Sequence, residues 1–291
     1  MIRPKIGIDV SGGDSSDVTR EAVLMAAARH AGIEVVAYGR RAELERTVAV
    51  KDTTFGLSFG LSMLTIVECA VHIKEMRRIV EDLSAGRLDA WVTLTKSELV
   101  WGALNKGHLV EPGLISPALM APLPTLNTAG RGGLGFLMDV GLTRDIWNPE
   151  IYVQWGRLGS RFITEQYGIA EPRIGLYWIA EEVKRAPKWL KQIHEQLQKA
   201  APGYLGLAEP KLVRRGMIDL WLAMGMIGNG VIKVLGTWLE PDQKSDPVFL
   251  NAPVIGLLEG KVVCRIHGAS TAEQIAGGIV SVQRYLRDKP V

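Results

Sequence analysis

Five short segments of the 291-residue chain bring together residue types that could do chemistry. The first is Asp9-Val10-Ser11-Gly12-Gly13-Asp14. Two glycines after an apolar run let backbone N–H groups approach an anion at a helix start, although a plain tight turn needs the same residues. The second is Thr93-Leu94-Thr95-Lys96-Ser97-Glu98, where hydroxyls and a lysine could hold a phosphate or carboxylate. Its other reading is Ser97 as an N-cap with charged neighbours. The third, Ala180-Glu181-Glu182-Val183-Lys184-Arg185, could orient an anionic substrate or be a solvated charged loop. The fourth, Ile227-Gly228-Asn229-Gly230-Val231-Ile232-Lys233, offers N–H groups and an amide at a strand-to-helix junction, or only a turn. The fifth is His267-Gly268-Ala269-Ser270. The other histidines, His30, His72, His108 and His194, show no ligand spacing and no Ser/His/Asp set. His194 is expected on a solvated helix face.

Such turns need strands and helices to hold them. Apolar runs read as strands at Lys5–Val10, Ile33–Gly39, Leu88–Leu94, Leu134–Val140, Arg173–Ile179, Tyr204–Leu207 and Ile218–Met224. Helical patterns fall at Asp17–His30, Ile66–Gly86, Ser97–Gly107, Pro149–Tyr167, Pro187–Ala200, Gly228–Leu239 and Thr271–Asp288. Alternation of this kind predicts βαβ units and an α/β fold with one mostly parallel sheet flanked by helices. In such sheets the ligand crevice lies beyond the carboxyl ends of the strands, where these turns fall. The Pro- and Asp-rich stretch Glu240–Pro253 is expected to be a surface loop.

Composition narrows the function classes. Apolar residues make up 47% and charged residues 22%, as in an ordinary globular protein. The 32 glycines exceed the roughly 7% typical level, which fits several tight turns. A net charge of +3 from scattered basic residues argues against nucleic acid as a partner. Cys69 and Cys264 are far apart and make no metal site; two reduced, buried thiols are expected. The start Met1-Ile2-Arg3-Pro4 does not read as a signal peptide. The apolar stretch Ile218–Leu239 carries Asp219, Asn229, Lys233 and glycines, against a membrane span. A cytoplasmic protein is expected. The eight tryptophans are dispersed; Trp155 and Trp189 fit core positions, with a dimer face as the alternative.

Taken together, the motifs and their order resemble the PlsX-type phosphate acyltransferases across nearly the whole chain. Asp9 to Asp14 is similar to that family's D-x-M-G-G-D, and Pro117-Ala118-Leu119 with Leu123-Pro124-Thr125 to its R-P-A-L…L-P-T. Asp139-Val140-Gly141 resembles D-x-G; Pro149-Glu150 to Gln154 and Leu158-Gly159-Ser160 resemble P-E-H-L-x-Q…M-G-S. Pro172-Arg173-Ile174-Gly175-Leu176 is similar to P-R-V-G-L, and Glu182 and Lys184 fall in its E-E-x-K-G-N loop. Gly225, Gly228-Asn229 and Lys233 fit D-G-F-x-G-N and the lysine after it. Ala252-Pro253-Val254 and His267-Gly268-Ala269-Ser270 fit A-P-V…H-G-S.

The resemblance implies a fold shared with phosphate acetyltransferases and isopropylmalate dehydrogenases, residues 1–291 forming one α/β domain, in two lobes around a central cleft. It implies an acyl or related group transfer on a thioester or phosphate, with acyl carrier protein among the possible partners, in a homodimer, without metal or cofactor. Lys184, Asn229 and His267 are the implied catalytic residues. Asp9, Gly12, Gly13, Asp14, Thr95, Lys96, Ser97, Glu182, Gly228, Lys233 and Ser270 are implied to bind substrate. Several positions depart from the pattern. The family's S-A-G-N-T-G-A loop is Thr93 to Leu99 here, without glycine, and the acid of D-G-F is Met224. Val71–Met76 stands where R-x-K-x-S-S-M is expected. The membrane-docking hairpin reduces to a short polar loop near 240–251, so no stable membrane association is expected. These changes leave three readings: a transferase with the family reaction weakened or lost, a non-catalytic relative that binds an anionic metabolite or partner enzyme, or another transferase such as a methyltransferase.

Overall fold

The computed structural model describes residues 3–30, 32–55, 63–125, 133–143, 147–238, 251–268 and 270–287. Two compact units share the chain: Met1–Val110, Glu240–Pro253 and Leu257–Val291 form one, Glu111–Leu239 and Val254–Gly256 the other.

The first unit is a doubly wound sheet. Its strands β1 (Lys5–Asp9), β2 (Glu34–Gly39), β3 (Leu64–Glu68) and β4 (Ala90–Thr93) alternate with helices α1 (Ser16–Arg29), α2 (Arg41–Phe55), α3 (His72–Ser84) and α4 (Ser97–Lys106). Near the C-terminus it adds β11 (Val262–Arg265), α8 (Ala272–Ser281) and α9 (Arg284–Arg287). The strand order is β3-β2-β1-β4-β11, all parallel. Residues Ile6, Ile8, Trp91, Val92 and Cys264 are fully buried, as expected for strands covered on both faces. From β1 the chain winds outward through β2 and β3, then returns to lay β4 on the other side of β1. The β1/β4 boundary is therefore a topological switch point, where α/β sheets open a crevice at the carboxyl ends.

The second unit contains β5 (Ala118–Pro124), β6 (Leu134–Met138), β7 (Ile174–Tyr177), β8 (Tyr204–Ala208) and β9 (Leu220–Leu222), in the order β5-β6-β9-β7-β8. In this order β5 and β6 run antiparallel, and β6-β9, β9-β7 and β7-β8 are parallel. Helices α5 (Pro149–Tyr167), α6 (Lys188–Ala200) and α7 (Gly225–Trp238) belong to it. Trp155, Leu158, Ile193, Leu197, Leu220 and Leu222 are at the centre of its core. Strand β10 (Ala252–Ile255) serves both units. Its first two residues pair antiparallel with β11, its last two with β5.

The structure corrects several local expectations. Ile66–Gly86 is not one helix; Leu64–Glu68 is an edge strand and the helix begins at His72. Ala252 and Pro253 open a strand rather than closing a loop. The last helix breaks after Ser281. Helix α7 starts at Gly225, not at Gly228. The short polar loop expected near 240–251 lies, apart from Asn251, outside the described residues. Both cysteines are free and buried, and Trp155 is core.

Candidate active site

Three adjacent parallel strands of the first unit, β1, β4 and β11, end in one row. Ile8 pairs with Val92, which sets Asp9 beside Thr93, and Thr93 pairs with Arg265. Each strand then turns into a helix, α1, α4 or α8, so three helix N-termini fall on this edge.

Asp9 is the hub. It is fully buried, and Oδ1 accepts the Trp91 Nε1–H at 2.8 Å. Its Oδ2 accepts the Thr95 hydroxyl at 2.6 Å and the Thr93 hydroxyl at 3.1 Å. His72, the first residue of α3, places Nε2 2.7 Å from Thr95 Oγ1 and 3.3 Å from Asp9 Oδ2. Because Thr95 spends its proton on Asp9, the hydroxyl accepts from Nε2–H, which fixes the tautomer. The hydrogen bond to Asp9 holds the His72 pKa above the ordinary imidazole value, against the opposing pull of burial. Next to it, the buried carboxyl of Glu75 accepts both the hydroxyl and the N–H of Ser11, at 2.5 and 3.2 Å. Burial pushes Glu75 up, and the Ser11 bonds oppose that shift.

The glycines of the first turn are explained by this cluster. A Cβ on Gly12 would lie 2.3 Å from Asp9 Oδ2, and Gly13 has φ +86°. Asp14 N–H donates to the Gly268 carbonyl, closing the β1 turn on the β11 turn. Arg265 Nε donates to the Thr95 carbonyl at 3.0 Å. Burial lowers its pKa, with the Asp14 charge opposing. Ser270 N–H bonds back to His267, and Thr271 with Gln274 makes a capping box on α8. The N-cap of α4 is the exposed Lys96, not Ser97, which is the first helical residue.

Asp9, Gly12, Gly13, Asp14, Thr95, Lys96, Ser97, His267 and Ser270 thus all belong to the first unit. Glu182, Lys184, Gly228, Asn229 and Lys233 belong to the second. There Lys184 is exposed in a 3-10 turn, Val183–Arg185, with Glu182 just before it. Lys233 is exposed on α7. Gly228 and Asn229 are helical and not a turn. Gly228 N–H is spent on the Met224 carbonyl at 2.8 Å. The reason for glycine is contact, since a Cβ there would lie 1.9 Å from the Asp139 carbonyl oxygen. The buried Asp139 side chain organises the turn at 139–143 by accepting from the backbone N–H groups of Leu119, Gly141, Leu142 and Thr143 and from the Thr143 hydroxyl. Arg173 makes a paired ion bridge to Asp219, so the Pro-Arg motif serves the sheet.

The sequence set His72 aside for want of ligand spacing and gave no sign of Trp91, Glu75 or Arg265. Nothing in their spacing links them to Asp9; only the strand order does. His194, expected to be solvated, is buried and bonds Tyr204 Oη through Nδ1 at 2.9 Å. Among the described residues no group of three or more His, Cys, Asp or Glu could hold a metal ion.

A family model described as "Fatty acid synthesis protein" matches residues 4–240. A phosphate acyltransferase of Herpetosiphon aurantiacus is 28% identical, covering 96% of this chain and 78% of that protein. One of Lysinibacillus sphaericus is 30% identical, covering 79% and 70%. Among solved structures, a branched-chain phosphotransacylase from Enterococcus faecalis superposes with TM-score 0.66 at 12% identity, covering 98% of this chain and all of the other. A 4-hydroxythreonine-4-phosphate dehydrogenase from Klebsiella pneumoniae gives 0.62 at 14% identity, with the same coverage. At such identities these two establish the fold alone.

Proposed function

Since the chain belongs to the fatty acid synthesis protein family, that of the PlsX-type phosphate acyltransferases, we propose that it transfers an acyl group from a thioester to inorganic phosphate, more slowly than members with a glycine-rich loop. Acyl carrier protein is the thioester carrier in this reading. The observation that carries it is the row of strand ends Asp9, Thr93 and Arg265 at the switch point. Helix N-termini and a partly buried arginine favour an anion there. The tight Gly12–Gly13 turn supports the same placement.

The slower rate follows from Thr95. It is 2% exposed and its hydroxyl is committed to Asp9, so side chain fills space that a glycine would leave to the ligand. Loss of one donor to a developing oxyanion costs about 100- to 1000-fold in rate. The purified chain is to be given acyl–acyl carrier protein with and without phosphate, and released thiol followed. Phosphate-dependent release is expected, about 100- to 1000-fold below a glycine-loop relative assayed in parallel. Absence of any phosphate-dependent release refutes the transferase reading, and phosphate binding without turnover would then favour a non-catalytic relative.

A further inference from the structure

His72 occupies an unusual position for a histidine with no assigned task. It begins α3 with Val71 as N-cap, whose side chain makes no capping hydrogen bond. Its Nε2 side is held by Thr95 and Asp9. Among the described residues its other nitrogen, Nδ1, makes no hydrogen bond, and the side chain is 29% exposed. A ring tethered through one nitrogen, with the other accessible on the edge where β1, β4 and β11 end, has the arrangement of a general base.

We propose that His72 is the proton-transfer residue of the acyl transfer, with Thr95 and Asp9 as its positioning residues. The inference rests on the transferase reading given above. A phosphate oxygen attacks the thioester carbonyl carbon, and Nδ1 takes the proton of the hydrogen phosphate. The carbon–oxygen bond forms, the carbon–sulfur bond breaks, and the imidazolium returns the same proton to the departing thiolate. The products are acyl phosphate and free thiol, and no oxidant or further reactant is needed. Between the two transfers the imidazolium is stabilised by the Asp9 carboxylate through Nε2–H. The charged groups acting on the ring are Asp9 from β1 and Glu75 from α3 itself, while Thr95, following β4, is neutral. Both acids favour the imidazolium, so the base ionises above the ordinary imidazole value.

The test compares wild type, His72→Gln, Thr95→Ser, Thr95→Val and, as a control, the exposed His30→Gln. The readouts are phosphate-dependent thiol release from acyl–acyl carrier protein between pH 5.5 and 9, and circular dichroism of each variant. His72→Gln keeps an N–H donor for Thr95 but has no base. It is expected to lose at least 100-fold in kcat with little change in the KM for phosphate. The ascending limb of the wild-type kcat profile should vanish with it. Thr95→Ser should retain the limb, Thr95→Val should shift it, and His30→Gln should match wild type. If wild type turns over and folded His72→Gln keeps its rate or its limb, the inference is overturned and the transferase reading stands. If His72→Gln does not fold, an unshifted limb in Thr95→Val overturns it instead. If wild type shows no phosphate-dependent release, the transferase reading falls and takes the inference with it.

Discussion

Replacing Asp9 in two ways separates its hydrogen bonds from its charge. In Asp9→Ala, the indole N–H of fully buried Trp91 and the hydroxyl of Thr93 both lose their acceptor. The Thr95 hydroxyl turns its proton to His72 Nε2, which accepts it once the ring takes its other tautomer. Each orphaned buried donor costs about 1–3 kcal/mol, and exchanging the charged acceptor of Thr95 for a neutral one costs about 1 kcal/mol, so the loss is about 5 kcal/mol. In Asp9→Asn, the amide oxygen can still accept from Trp91. The amide N–H groups take the place of Oδ2, and the two hydroxyls rotate to accept from them. The three charge-assisted bonds to Asp9 become neutral ones, at about 1 kcal/mol each, or about 3 kcal/mol in all. The difference of about 2 kcal/mol is about 30-fold in an opening equilibrium. Hydrogen–deuterium exchange of peptides from β1 and β4 measures that opening locally, which avoids assuming that both units unfold together. Asp9→Ala should exchange about 30-fold faster than Asp9→Asn there. Equal exchange in the two variants would refute the bonding scheme. Nitrogen-15 shifts of His72 give a second reading, because Asp9→Asn removes the first cause of its raised pKa.

Two further outcomes follow from the second unit. Gly228→Ala drives a Cβ into the Asp139 carbonyl, backbone that cannot turn aside, and should destabilise by about 1–3 kcal/mol; Gly230→Ala, with open space around it, should gain about 0.5–1 kcal/mol of helix stability. Thermal melts decide the pair, and a Gly228→Ala protein melting at or above wild type would contradict the contact. His194 has its pKa lowered by burial, so the unfolded chain binds its proton more readily than the folded one. Its contribution is complete above the unfolded value near 6.5 and is lost as pH falls through the folded one. Denaturant midpoints at pH 5 and pH 8 should therefore differ less in His194→Gln than in wild type.

The alternation of strands and helices was legible because parallel strands buried on both faces read as apolar runs, as at Lys5–Asp9 and Ala90–Thr93. Where burial is incomplete the signal failed. Leu64–Glu68 is an edge strand with exposed Thr65 and Glu68, and it runs so soon into α3 that the two read as one helix. Ala118–Pro124 carries two prolines inside a strand, which argues locally against any strand. The motifs located the turns but not their purpose. Gly12 and Gly228 are glycines because carboxylate and carbonyl oxygens crowd them, a reason that residue order alone does not reveal. The Asp9–Thr95–His72 contact is assembled by the crossing from β3 to β4, and no spacing along the chain encodes it.

The discontinuous make-up of the first unit constrains the order of events during synthesis. Strand β4 emerges early, but β11, which pairs along its other edge, follows only after the entire second unit has left the ribosome. At about 5–20 residues per second, that interval is about 10–30 s. Throughout it, the nascent chain carries an unpaired, apolar β4 edge of the kind that recruits foreign strands. The second unit, whose own five strands are complete by Leu222, can fold within the same window. Release of β11 and α8 then closes the older sheet, and only at that moment do Asp9, Thr93 and Arg265 first stand in line.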